Sequence, residues 1–202
     1  MTQSAAQHGA VARTLSGLRR ANRAVGLLLG LVLAATVVFV ILDVVLRQTG
    51  GSLGGSDEIS GYVMAALASW GLAVALTERA HVRIDLLRQM SGEKMRAVFD
   101  LISIACLTGV AVLVAYQAWP VLSKTLERGS RANTPLETPL WIPQGIWFAG
   151  WLWFAICAVA TLILALILAA RTDWDALESA VGMDHEGEEA LAEARRQKGE
   201  RA

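Results

Sequence analysis

Charged residues are missing from four long stretches of this 202-residue chain: 24–42, 59–77, 101–123 and 138–170. The 18 basic and 18 acidic residues all fall in the remaining 108 positions. A soluble core does not segregate charge in this way. A hydrocarbon slab does, because a helix that crosses it needs roughly 20 apolar residues. Other absences exclude further classes. The formal net charge is zero, so nothing draws the chain towards nucleic acid. Cysteine occurs only as Cys106 and Cys157, both inside apolar stretches and without the spacing of a zinc site or redox pair. The three histidines, His8, His81 and His185, lie outside the apolar stretches, which leaves no axial ligand for a haem within the membrane. Phosphate-cradling glycine loops and Ser/His/Asp sets are also missing. No catalytic, cofactor-binding or metal-binding residue is assigned, and the chain reads as no enzyme.

What is present is 54% hydrophobic. The pattern predicts an all-α membrane protein with four transmembrane helices, over about 24–46, 59–76, 98–122 and 142–170. Helices are required because backbone groups in hydrocarbon must be satisfied internally, and these runs are too long and uniform for barrel strands. A basic segment, 1–23, precedes this membrane domain of 24–170, and a charged tail, 171–202, follows it. The first span follows Arg13, Arg19, Arg20 and Arg23, with no small-residue cleavage site after it, and reads as a retained anchor. Fourteen basic residues fall on one side of the alternating spans and four on the other. By the positive-inside rule both termini and the central loop of this multi-pass protein are cytoplasmic.

The connections differ in character. Residues 48–57 form a glycine-rich turn in which Ser56, Asp57 and Glu58 read as the cap and acidic first turn of the next helix. Asp43 and Arg47 are spaced for an ion pair along the end of the first helix. Residues 78–96 carry Val82, Leu86 and Met90 every four positions among Arg79, Arg83 and Arg88. They form either an interfacial amphipathic helix between spans two and three or a plain basic connector. Residues 123–143 read as an external loop with Arg128, Arg131 and Trp141 available to a partner. Trp147, Trp151 and Phe154 share a helix face that is either a lipid-facing belt or a protein contact. Asp100 sits near the inner end of span three, within reach of cytoplasmic water or Arg96.

All four charge-free cores lack a central ionisable residue or a mid-membrane Gly/Pro break. A self-sufficient ion-coupled transporter should show one or the other. Small residues recur instead at four-residue spacing: Gly26, Gly30 and Ala34 in span one, and Gly61, Ala65, Ser69 and Ala73 in span two. Such stripes either arise by chance in an Ala/Gly-rich chain or let helices approach closely.

The order of these features resembles the small four-helix membrane subunit of tripartite ATP-independent periplasmic (TRAP) transporters. The resemblance covers about residues 24–170. It rests on Asp43 and Arg47, on the acidic Asp57-Glu58 start, and on Ser69-Trp70-Gly71-Leu72-Ala73. It rests also on the His81 segment with Val82, Arg83, Ile84, Asp85 and Leu86, and on Thr138-Pro139-Leu140-Trp141-Ile142-Pro143. The chain departs at 50–55, where that family has an aromatic/Asn turn. The resemblance implies a scaffold for a large multi-span subunit that carries substrate and sodium. It also implies a place in the bacterial inner membrane and help in docking a periplasmic substrate-binding protein, usually for an organic acid. Glu58, Arg128, Arg131 and Trp141 are then docking residues on the outer face. Gly26, Gly30, Gly61, Ala65 and Ser69 serve helix packing, and His81, Arg83 and Asp85 anchor the interfacial segment. The competing readings are a stand-alone homo-oligomeric transporter and a membrane anchor of a redox enzyme.

Overall fold

A computed structural model describes residues 2–78, 93–134 and 136–170. Four helices follow in order: α1 (Thr2–Gln48), α2 (Ser56–Thr77), α3 (Glu93–Arg128) and α4 (Trp141–Ala170). Each is long and apolar enough to cross a membrane. At roughly 1.5 Å per residue, α1 extends about 70 Å and α3 about 54 Å, so both outrun a hydrocarbon core of about 30 Å. The segment 123–143 is not all loop, because α3 continues through Pro120 to Arg128. Pro120 removes a single N–H, the one that would donate to the Tyr116 carbonyl, and the helix continues past it for two more turns.

The helices form an open row rather than a closed bundle. In space the order is α1, α2, α4, α3, with α1 touching α4 only slightly. α4 is central and is buried on two sides, at Gly150, Phe154 and Cys157 through to Ala165 and Leu168. α1, at one edge, leaves Leu27 (73% exposed), Leu31, Val38 and Ile41 uncovered.

Small residues make the two seams of α4. A Cβ on Gly150 would stand 2.7 Å from Trp70 Cδ1 and closer still to Ser69 Oγ, so α2 and α4 meet backbone to side chain here. Trp70 fastens the seam by donating its indole N–H to the Ile146 carbonyl at 3.0 Å. The α3–α4 seam is built on a seven-residue repeat: Ala97, Ile104, Ala111 and Ala118 are all buried. Thr108, on the same side, donates to its own Ile104 carbonyl at 2.7 Å and to Ala158 of α4 at 3.2 Å.

A polar hub closes the far end of the row. Asn22 of α1 is wholly buried. Its amide donates to the Ala73 carbonyl at 3.1 Å and to Thr77 Oγ1 at 3.3 Å, and its carbonyl accepts from Trp153 Nε1 at 2.8 Å. One side chain thereby joins α1, α2 and α4. Cys157 is buried beside it, with its sulfur 3.7 Å from the Asn22 amide, whereas Cys106 is exposed. Asp100 is also buried, so of the two alternatives, cytoplasmic water and Arg96, open water is excluded. A carboxylate there is shielded because it lies on the α3 seam, one turn before Ile104.

Gly150→Val is expected to lower the melting temperature of the detergent-solubilised protein. Overpacking costs about 1–3 kcal/mol and outweighs the smaller gain in helix propensity. Gly109→Ala is the control, because a Cβ there meets nothing within 4 Å. An unchanged melting temperature for Gly150→Val would contradict the tight α2–α4 approach.

Candidate docking face

Both described connections, 49–55 and 129–140, lie at one end of the row, and the chemistry of that end is organised by two carboxylates. The first is Asp43, which is wholly buried near the end of α1. One of its oxygens accepts from Ser52 Oγ at 2.9 Å and from the Leu53 backbone N–H at 2.7 Å. The other accepts from Ser56 Oγ at 2.6 Å and pairs with Arg47 at 2.7 Å. Arg47 also donates to Ser56 Oγ at 3.1 Å. The expected Asp43–Arg47 pair therefore forms, but as part of a latch that fixes the glycine-rich turn to both helices. Hydrogen bonds to an ionised group are the strong kind, and here they stand in for the turn's missing side chains.

Ser56 does not cap α2. The cap position is Gly55, without a side-chain hydrogen bond, and Ser56 lies inside the helix. Its hydroxyl donates to the Asp43 carboxylate and accepts from Arg47, both charge-assisted bonds. Asp57 and Glu58 do occupy the first turn, where they suit the positive end of the helix dipole.

The second carboxylate, Glu58, is half-buried. Tyr62 donates its hydroxyl to one oxygen at 2.6 Å, and Thr134 donates to the other. Glu58 thus ties the start of α2 to the loop between α3 and α4. Leu136 of that loop rests on Gly55, whose backbone has φ +69° and where a Cβ would come within 2.6 Å of Leu136 Cγ. Only glycine accepts both the backbone angle and the contact. The loop itself is a short antiparallel ribbon. Arg131 bridges to Pro139, the Ala132 N–H donates to the Thr138 carbonyl at 2.9 Å, and the Leu140 N–H donates to Ser130 at 3.0 Å.

The residues anticipated for docking are thus held on one platform. Arg128 ends α3 in an exposed position. Arg131 is exposed in the ribbon and donates to the Glu137 carbonyl at 3.3 Å. Trp141 is half-exposed at the start of α4. Glu58 is beneath them, with both oxygens engaged inside the chain. Of the small-residue stripes, Ser69 is buried against Gly150, and a Cβ on Gly26 would stand 3.4 Å from Val74. Ala65 is half-buried, while Gly30 and Gly61 look onto open space. On α4, Phe154 is buried in the core with Trp151 edge-on at 6.1 Å, and Trp147 is half-buried. His81, Arg83 and Asp85, with the rest of the amphipathic segment, lie outside the described residues, as does the charged tail.

Sequence reasoning missed Asn22 and the alanine repeat of α3. The repeat is visible as a strict seven-residue spacing, but Asn22 stands among Arg19, Arg20 and Arg23 with no local signal of burial.

Comparison with known proteins returned one family. Residues 36–168, about two thirds of the chain, match the family described as Tripartite ATP-independent periplasmic transporters, DctQ component. No curated protein and no solved structure matches.

Thr134→Val removes one donor from Glu58 without changing the volume. The loop is expected to loosen, with faster amide exchange at Ala132 and Leu140 and little change in the α2–α4 seam. Asp43→Asn is expected to be more damaging, because it discharges the partner of Arg47 inside a buried cluster and lowers the melting temperature. Equal protection in Thr134→Val and the parent would show that Glu58 does not hold the loop.

Proposed function

The chain belongs to the DctQ component family, the small membrane component of TRAP transporters, and from that premise we propose that it is a fixed scaffold holding the transporting subunit. The family is a transporter component and not an enzyme. Membership implies two partners in general terms, a large membrane component and a periplasmic binding component. In this reading the end bearing Arg128, Arg131 and Trp141 faces the periplasm, both termini are cytoplasmic, and the transporter takes up an organic acid with sodium.

The open row carries the reading. A protein that moved substrate within itself would enclose a polar path, and the described helices present no Asp, Glu, Lys, Arg or His at mid-span. They present a wide uncovered apolar edge on α1 instead, with Gly30 and Gly61 open on the neighbouring faces. Small residues at such positions permit close helix contacts in lipid. The ribbon is built for a different partner. Its exposed Arg128 and Arg131 offer a complementary surface to an acidic patch on a soluble protein, a device that favours encounter and register.

Purification of the tagged chain in mild detergent is expected to bring down a stoichiometric multi-span protein. A homo-oligomer that transports by itself in liposomes would refute the scaffold. Arg131→Glu is expected to weaken binding of the periplasmic component about tenfold and to flatten its loss with salt. Glu58→Ala is expected to weaken it through the freed loop. Unchanged affinity in both variants would remove the ribbon from the docking surface.

A further inference from the structure

Asp43 is the first acidic residue of the chain, so the 42 residues before it hold cations without a local counter-charge. Arg19, Arg20 and Arg23 of α1 are all exposed. Arg47 has Asp43 as its partner, but among the described residues no carboxylate pairs with these three. At 3.6 residues per turn they fall within an arc of about 100°. Leu27 (73% exposed) and Leu31 continue the same face one and two turns further on. Leu18 and Asn22 lie on the other side of the helix, against the core. One exposed face of α1 is therefore cationic for a turn and then apolar.

The level of that change is fixed from two helices. On α1 the uncharged stretch between Arg23 and Asp43 extends about 28 Å, close to a hydrocarbon core of about 30 Å. On α2 the Asn22 amide bonds Thr77 at 3.3 Å, and Thr77 ends that helix directly before Glu78. Both helices leave the hydrocarbon here. The headgroup layer beyond it is about 5–8 Å deep. From Ala24 back to Arg19 is about 7.5 Å, so the three arginines stand in this layer. Arg13, about 17 Å from Ala24, stands outside it.

Exposed cations at that depth face lipid phosphate. The guanidinium fork matches phosphate oxygens two at a time. Three such groups with no acid among them favour a lipid of net negative charge over one whose ammonium cancels its phosphate. The apolar turns that follow accept acyl chains, which a soluble acidic protein does not have. We propose that Arg19, Arg20 and Arg23 bind the phosphate of an anionic phospholipid, with its acyl chains along Leu27 and Leu31. One leaflet is about 15 Å deep, so the chains stop short of Val38 and Ile41 and leave that part of the edge to a protein neighbour. The site goes beyond the scaffold reading and does not depend on which proteins dock.

The test uses the full chain purified in mild detergent, supplied with equal amounts of phosphatidylglycerol and phosphatidylcholine, and weighed intact by native mass spectrometry. The parent is expected to retain phosphatidylglycerol about tenfold over phosphatidylcholine. The combined variant Arg19→Gln, Arg20→Gln and Arg23→Gln is expected to fall to near parity at an unchanged melting temperature, since all three side chains are exposed. Lysine at the same three positions keeps the charge and is expected to keep most of the preference. No preference in the parent, or an undiminished one in the glutamine variant, overturns the proposal. A photo-crosslinker at Leu27 in membranes holding the assembled transporter supplies a second readout: a lipid adduct supports the site, and a protein adduct overturns it.

Discussion

The close approach of α2 to α4 at Gly150 is the contact on which the row depends. In lipid the hydrophobic effect does not drive helices together, because the surrounding tails are as apolar as leucine. What remains is close packing and hydrogen bonding, and both concentrate at this seam. Gly150 admits Ser69 and Trp70, and the Trp70 indole bonds the adjacent Ile146 carbonyl. With α4 fixed on α2, its opposite side receives the alanine repeat of α3, and Asn22 then ties α1 to both. Loss of that seam would part the row at its middle, whereas loss of α1 or α3 would remove only an edge.

The two carboxylates act at the loop end in the same spirit. Each holds a connection that has little side-chain surface of its own. Asp43 organises a turn of glycines and serines through four donors, and Glu58 pins the ribbon through Tyr62 and Thr134. The exposed face is therefore tied to the row at both connections. In the proposed docking role such ties matter, since a pre-ordered surface has less freedom to lose on binding.

The four helices were legible in the sequence because charge segregation by hydrocarbon is a coarse and strong signal. Their order in space was not. In a soluble helix the apolar stripe marks the buried face, but on α1 and α3 the lipid side is as apolar as the packed side, as Leu27 and Tyr116 show by their exposure. Ser56 illustrates a second kind of miss. Its place before Asp57 and Glu58 suits a helix cap, yet a buried carboxylate thirteen residues earlier takes its hydroxyl. Local rules could not register that long-range competitor. Glu58 was singled out for its place at the start of α2, but its engagement with Thr134, 76 residues away, depends on the fold of the loop. The family resemblance and the family match agree, and they rest on the same ordered features.

The central claim is that this chain holds still while another subunit moves. Native Cys106 is exposed on α3 and Leu31 is exposed on α1, at opposite edges of the row. Spin labels at Cys106 and at Leu31→Cys in the assembled transporter report the width of the row by pulsed electron resonance. A single narrow distance distribution, unchanged by substrate, sodium or the periplasmic component, is the expected result. A shift of several ångströms during transport would contradict the scaffold.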